Sequence, residues 1–407
     1  MSQSNDRPAA PDRSATDLLE RWYHVPVLLG VLAVMLWTRL QSYGNFVQNG
    51  EVYFRGNDPW YHLRETTYIM QNYPSRMPFD VWTGFPVGTQ AGQFGTVWDH
   101  IMFVGIWIPE PIMGSPEEVM LIMPSLAGAL VALPTYFIAR RFVERPAALG
   151  GAATLALLPG TFFSYSLVGF PDHTAAEVLF QSLAVLGVLG ALGVAEREKP
   201  VWELVVDRDW TALKRPVGVA ALGGVALGAY IWTWQPGILV VGFTGIYLAV
   251  KLTSDVYHGK SPEPIAFAGA IALTVAGLMQ VIPLDTFRFA VSEYSYLQIV
   301  LPLGVAAGTV FLAWLARFWE ARGFDTGLYP LTVGGLILVS AGVVRLLLPS
   351  LWSLVTGRLL NTVGFSGSAT VGTIGEAQPP LQNAAFSDFV ISQYGLAFVP
   401  ALGATFS

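Results

Sequence analysis

Cysteine is absent from the 407 residues, which removes disulfides, thiolate metal sites and cysteine nucleophiles together. Any bound metal must use oxygen or imidazole donors. Charge is scarce as well: Asp, Glu, Lys and Arg fill 12% of positions, against the roughly 25% usual in soluble globular chains. The net charge of -6 comes with no long basic run and no basic patch interleaved with aromatics, so no nucleic-acid partner is expected. Internal repeats, low-complexity tracts and a soluble domain are also missing from the pattern.

What is present is hydrocarbon, at 53% of positions. A water-soluble fold cannot hide that much, and many of the apolar runs reach the roughly 20 helical residues that cross a bilayer core of about 30 Å. Spans are expected at 25–41, 117–139, 147–168, 175–195, 216–234, 236–252, 265–283, 297–316 and 329–349, with another beginning near Asp388. The first apolar run lacks a small-residue cleavage site and reads as a retained helix. The fold class is therefore an all-α polytopic membrane protein, a bundle of about 10 helices with long outer loops.

Basic residues orient the bundle, because Arg and Lys concentrate in cytoplasmic connections. Arg7, Arg13 and Arg21 in the tail 1–24 are matched by Arg140, Arg141 and Arg145, by Lys214 and Arg215, by Lys251 and Lys260, and by Arg317 and Arg322. The tail then lies in the cytoplasm and residues 25–407 form the membrane domain. Outside lie loop one (42–116), the turns around Asp172 and Asp285, and the segment 350–387. Within loop one, the stretch from Trp98 to Pro109 is apolar but too short to span, and reads as a re-entrant or surface-lying helix.

Three acidic sites fall on that outer face. Asp58 stands in Gly56-Asn57-Asp58-Pro59-Trp60-Tyr61-His62, where an Asp before Pro is either a helix start or a functional carboxylate. Asp172 stands in Gly169-Phe170-Pro171-Asp172-His173-Thr174, where it either caps the next helix or joins His173 as a ligand pair for a divalent ion. Glu376 ends Thr373-Ile374-Gly375-Glu376 in a Gly-, Ser- and Thr-rich loop, where a lone glutamate is usually just solvated. Three carboxylates gathered in one cavity repel unless a cation holds them, and a hard ion such as Mg2+ or Mn2+ suits oxygen donors and bridges to phosphate.

In their order, spacing and sidedness these motifs resemble the catalytic subunit of oligosaccharyltransferase, of the archaeal AglB type, over essentially the whole chain. The resemblance implies a GT-C-type glycosyltransferase membrane bundle that transfers a glycan, with inversion, from a dolichyl phosphate or pyrophosphate donor to Asn in Asn-X-Ser/Thr sequons. It implies a metal site of Asp58, Asp172, Thr174 and Glu376 holding Mg2+ or Mn2+, with Asp58 and Glu376 also binding the acceptor amide, and His100 and His173 facing the donor phosphate. The implied partners are a lipid-linked oligosaccharide, an acceptor polypeptide and membrane lipid. Arg345 is expected to snorkel to the interface.

Two departures from the family pattern stand out. The second motif usually ends in Asp, Glu or His, whereas Thr174 offers a neutral hydroxyl, so His173 or water would fill that place. No Trp-Trp-Asp motif occurs, which reads as a C-terminal extracytoplasmic domain absent from this sequence. The competing readings are another lipid-phosphate-sugar glycosyltransferase of the same broad fold, a polytopic transporter, and an inactive fragment. The segment around Glu376 argues against the first, and the absence of repeats and midplane charges argues against the second.

Overall fold

The structure is a computed structural model that describes residues 20–91, 95, 97–107, 114–195, 201–362 and 385–404. Its backbone is dominated by helices: α1 (His24–Leu40), α2 (Asp58–Asn72), α3 (Val97–Ile106), α4 (Pro116–Leu130), α5 (Ala132–Ala139), α6 (Arg145–Leu157), α7 (Thr161–Tyr165), α8 (Thr174–Ala195) and α9 (Val201–Val206). They continue as α10 (Trp210–Thr233), α11 (Ile238–Tyr257), α12 (Glu263–Met279), α13 (Tyr296–Ala321), α14 (Tyr329–Leu347), α15 (Pro349–Thr362), α16 (Phe386–Tyr394) and α17 (Phe398–Ala404). Two short antiparallel pairs, β1 (Val47–Gln48) with β2 (Glu51–Val52) and β3 (Phe79–Asp80) with β4 (Thr89–Gln90), sit in loop one.

Among the described residues, seven helical stretches are long and apolar enough to cross a membrane, the continuous pair α4–α5 counting as one. The multi-pass membrane reading holds, with three corrections to the expected spans. The run 147–168 is two helices, because Pro159 lacks an N–H and Gly160 adopts φ +102 against the backbone of Gln393. The run 265–283 stops at Met279 as a 17-residue helix. The run beginning near Asp388 breaks at Gly395, where φ is +55.

With lipid as solvent, helices gain nothing from hiding hydrocarbon from one another, so close backbone approach has to bring them together. At the crossing of α8 and α10, Gly187 faces Gly223 so closely that a Cβ on either would strike the other's backbone. The helix caps are equally local in origin. Ser115 with Glu118 and Ser295 with Gln298 form capping boxes at the starts of α4 and α13.

Among the described residues, three of the connections expected on one side, loop one and the turns around Asp172 and Asp285, meet at one end of the bundle. The Arg55 N–H donates to the Gly169 carbonyl at 2.7 Å, and Arg76 pairs with Asp285 at 2.5 Å. Loop one is a folded layer over that end, with its own small core of Tyr61, Met77 and Ala91. The stretch read as re-entrant or surface-lying is α3, whose face of Trp98, Asp99, Met102 and Phe103 is buried. Those positions follow helical spacing, so burying the apolar ones carries Asp99 inward with them.

Two anchors hold this end in place. Arg39, fully buried near the end of α1, donates from Nε to Ser166 Oγ at 2.8 Å and lies over the rings of Phe162 and Phe163. Asp80 accepts a forked pair from Arg64 at 3.0 and 2.6 Å, and a 2.6 Å bond from Thr83 Oγ1. Burial alone would raise the Asp80 carboxyl, but the bonds from Arg64, Thr83 and the Trp82 N–H pull it down to about 2.

Two outcomes follow for the protein in detergent. A depressed carboxyl contributes stability above its ordinary pKa of about 4 and loses it as pH falls toward the folded value. Asp80→Asn is expected to cost roughly 2 kcal/mol at neutral pH, with the difference from wild type shrinking as the pH is lowered toward 2 in thermal unfolding followed by circular dichroism. Gly169, at φ +98 with the Phe46 ring against its α-carbon, should lose about 1–3 kcal/mol as Gly169→Ala, read from chemical denaturation of the same preparation.

Candidate functional site

The site lies where the starts of α2, α3 and α8 converge. Proline at the first turn starts α2, placing Asp58 at its first position and His62 one turn later on the same face. The left-handed Gly169 turns the chain between the Arg55 N–H and the Leu121 carbonyl, delivering Phe170-Pro171-Asp172-His173 to the head of α8. The buried face of α3 brings Asp99 to the same place.

At the centre is Asp172 Oδ1. His173 Nδ1 lies 2.6 Å from it and His62 Nε2 lies 3.2 Å from it, while the two imidazole nitrogens are 3.3 Å apart. The Thr174 hydroxyl donates to the other oxygen, Asp172 Oδ2, at 2.6 Å. Behind His62, Nδ1 is 2.7 Å from Asp99 Oδ1. Behind His173, Nε2 is 3.2 Å from Glu177 Oε1. His62 and Asp99 are completely buried, and Asp172 and His173 nearly so.

Imidazoles and carboxylates alternate through this cluster and shift one another. Burial would neutralise His62, but the carboxylates of Asp99 and Asp172 outweigh it and push its pKa up to about 10. Burial works against His173 too, and Asp172 and then Glu177 raise it. The two imidazoles in turn hold the Asp172 carboxyl well below the usual range, against its own desolvation. Glu65, one turn beyond His62, is pushed up to about 8 by burial and by Asp99, with its Oε1 accepting the Met77 N–H at 3.1 Å.

Among the described residues, His62, Asp172 and His173 form the one group of His, Asp and Glu side chains whose donor atoms lie mutually within 4.8 Å, a spacing that one metal ion spans. Asp58 is solvent-exposed at the head of α2, a turn away from that group. Glu376 lies outside the described residues. Thr174 is engaged with Asp172. His173 belongs to the cluster, whereas His100 points elsewhere, its Nε2 3.3 Å from the Pro74 carbonyl. His100 lines a separate cavity of about 750 Å³ with Arg76, Met77, Gln90, Trp232 and Asp285. In that cavity wall Arg76 keeps Nη1 without a hydrogen-bond partner.

Sequence reasoning passed over Asp99 and took His62 only as a neighbour of Asp58. A signal for both existed. His62 falls four residues after Asp58 on one helix face, and an aspartate on the apolar face of a short helix is costly unless it has a partner.

Comparison with known proteins gives the family and the fold. The family model for the N-terminal part of oligosaccharyl transferase STT3 matches residues 28–396. The dolichyl-monophosphooligosaccharide–protein glycotransferase AglB of Haloferax volcanii is 46% identical over 397 residues, covering 95% of this chain and 38% of the relative, so the chain spans well under half of that protein. The fold is that of the AglB from Archaeoglobus fulgidus solved with an inhibitory peptide and a dolichol-phosphate, at TM-score 0.80 and 22% identity, covering 95% of this chain and 44% of that one. The Archaeoglobus fulgidus oligosaccharyltransferase solved with Zn and sulfate superposes at TM-score 0.67 and 23% identity, over 83% of this chain and 42% of that one. With a family match across nearly its whole length and a relative this similar over almost all of it, the chain belongs to the STT3 oligosaccharyl transferase family.

Proposed function

We propose that the chain is the membrane part of a metal-dependent oligosaccharyltransferase, moving a glycan from a dolichyl phosphate or pyrophosphate to Asn in Asn-X-Ser/Thr sequences. The observation that carries this reading is the buried Asp172-His173 pair at the loop-one end of a multi-pass bundle, in a chain 46% identical to a named glycotransferase. The positive-inside pattern favours the N-terminus in the cytoplasm and this end outside. A lipid-linked oligosaccharide would arrive from the surrounding membrane and an acceptor polypeptide from water. The dolichol-phosphate and the peptide bound by the Archaeoglobus protein support those two partner classes.

An amide nitrogen is a poor nucleophile because its lone pair is delocalised into the carbonyl. Asp58 and Glu376, accepting both N–H hydrogens, would hold the acceptor amide in a twisted form that frees the lone pair. The nitrogen then bonds to the anomeric carbon as the bond from that carbon to the phosphate oxygen breaks. The bonding pair leaves with the lipid phosphate, a proton passes from nitrogen to a carboxylate, and attack from the opposite face inverts the anomeric carbon. Holding donor and acceptor in one cavity supplies a large part of the acceleration.

The donor chemistry present fits Mg2+ or Mn2+: a buried carboxylate at Asp172, fixed by the Thr174 hydroxyl, beside imidazole nitrogen. Asp58, Asp172 and Glu376 would hold the ion, with Thr174 orienting Asp172. When bound, the cation neutralises charge growing on the phosphate leaving group. For the phosphate itself, His100 and the unpaired Nη1 of Arg76 offer donors in the adjoining cavity. His173 has both ring nitrogens turned to carboxylates, so it would reach phosphate only after leaving Glu177.

The test is transfer by purified, folded protein given a lipid-linked glycan and an Asn-X-Thr peptide, with Mn2+ or with EDTA. Transfer that requires the metal and falls by at least about a hundredfold in Asp58→Ala and in Glu376→Ala is expected. Transfer in EDTA, full activity in both variants, or no transfer by the metal-supplied protein overturns the reading. In the same assay His100→Ala and Arg76→Ala should raise the donor KM by about tenfold, with a smaller change in kcat, as loss of a ground-state phosphate contact requires. Unchanged donor KM in both removes the cavity from the mechanism.

A further inference from the structure

We propose that His62, held by Asp99, is itself a ligand of the divalent ion, so that the ion sits on a face of two imidazole nitrogens and one carboxylate oxygen from His62, His173 and Asp172. The inference rests on the metal-dependent reading above and goes beyond it by adding His62 as a ligand, Asp99 as its outer partner, and the kind of metal that imidazole nitrogens select.

Four observations carry it. The three donor atoms form a triangle whose two edges at His62 are 3.2 and 3.3 Å and whose Asp172–His173 edge is 2.6 Å. An octahedral ion with donor distances of about 2.1 Å sets neighbouring ligands about 3 Å apart, so the two edges at His62 suit one face of its coordination shell and the shorter Asp172–His173 edge is the one an ion would open. Second, His62 turns Nδ1 to a fully buried carboxylate at 2.7 Å and leaves Nε2 for the triangle. That is how metal-bound histidines are oriented, the outer carboxylate fixing the tautomer and strengthening the donor.

Third, the Thr174 hydroxyl gives its hydrogen to Asp172 Oδ2 and so points Oδ1 at the two imidazoles. The residue following the Asp172-His173 pair therefore orients a ligand, and the third donor atom in reach comes from α2. Fourth, His62 shares a helix face with Asp58 one turn earlier, so an ion on this triangle lies beneath the head of α2, where Asp58 can approach from the solvent side.

A proton is the rival occupant of the triangle. Two protonated imidazoles around Asp172 would satisfy the same geometry as a salt-bridged knot, with Asp99 and Glu177 as outer partners. The two cases differ in what they bind. Nitrogen donors shift preference from Mg2+ toward Mn2+ and the later transition ions, whereas a proton knot has no use for either.

Mn2+ titrated into the detergent-purified protein, followed by electron spin echo modulation with 15N-histidine labelling, separates them. Wild type should show two histidine nitrogens coupled to Mn2+ and should bind Mn2+ at least about tenfold more tightly than Mg2+. In His62→Asn one of the two couplings should vanish and the Mn2+ Kd should rise by at least about tenfold. Asp99→Asn, which keeps the imidazole but loosens its hold, should weaken Mn2+ by about 10–100-fold while both couplings persist at saturation.

If His62→Asn retains both couplings and the wild-type affinity, His62 is not a ligand, and the metal-dependent transferase reading stands untouched. Mn2+-dependent transfer without two histidine couplings in wild type has the same meaning. Failure of wild type to bind Mn2+ at all overturns both. Should His62→Asn not fold, as judged by circular dichroism and gel filtration, the number of couplings in wild type decides alone.

Discussion

The arrangement of this end of the molecule depends on one oxygen atom, Asp172 Oδ1, placed out of water between two imidazoles. A carboxylate that deeply buried is tolerable only if opposite charge and hydrogen bonds reach it from several directions. They come from two parts of the chain: His62 on α2, and His173 with the Thr174 hydroxyl next to Asp172 at the head of α8. Each imidazole then needs its own outer carboxylate, and Asp99 and Glu177 supply them. Removing one partner leaves another charge stranded, so the helices that bear these groups are tied to one another electrostatically as well as by packing.

The rest of the local structure keeps that cluster in register. The Gly169 turn and the Arg39–Ser166 contact fix the approach of the segment bearing Asp172. The Arg64–Asp80 fork braces loop one internally against α2, and the Arg76–Asp285 pair ties loop one to the turn around Asp285. Below, the helices cross where glycine and alanine allow backbones to touch, since lipid provides no hydrophobic drive to separate helix from tail. A rigid membrane base and a folded outer layer thus meet at a dry, charged seam. His100 and Arg76 line a cavity on the same side of the molecule.

Composition and hydropathy alone established lipid as the solvent and the approximate spans, because length and polarity are properties of consecutive residues. Asp172 and His173 were legible as a pair for the same reason: they are neighbours, and they sit at a break between apolar runs. The breaks within the runs at Pro159-Gly160 and at Gly395 were readable in principle, but what makes them definite is contact with a distant segment, as at Gly160 against Gln393.

Only the tertiary structure decided which charges share a cavity. His62 and Asp99 are 37 positions apart, and Asp172 lies a further 73 beyond Asp99 along the chain, so no local pattern announces their meeting. The short helix α3 looked like a surface element because its length forbids spanning, yet burial of its apolar face carries Asp99 inward against His62. Sequence determined the solvent, the helices and the chemical types available. Packing decided which of those types stand within hydrogen-bond reach, because the distance between side chains on different helices is set by how the helices cross and not by their order.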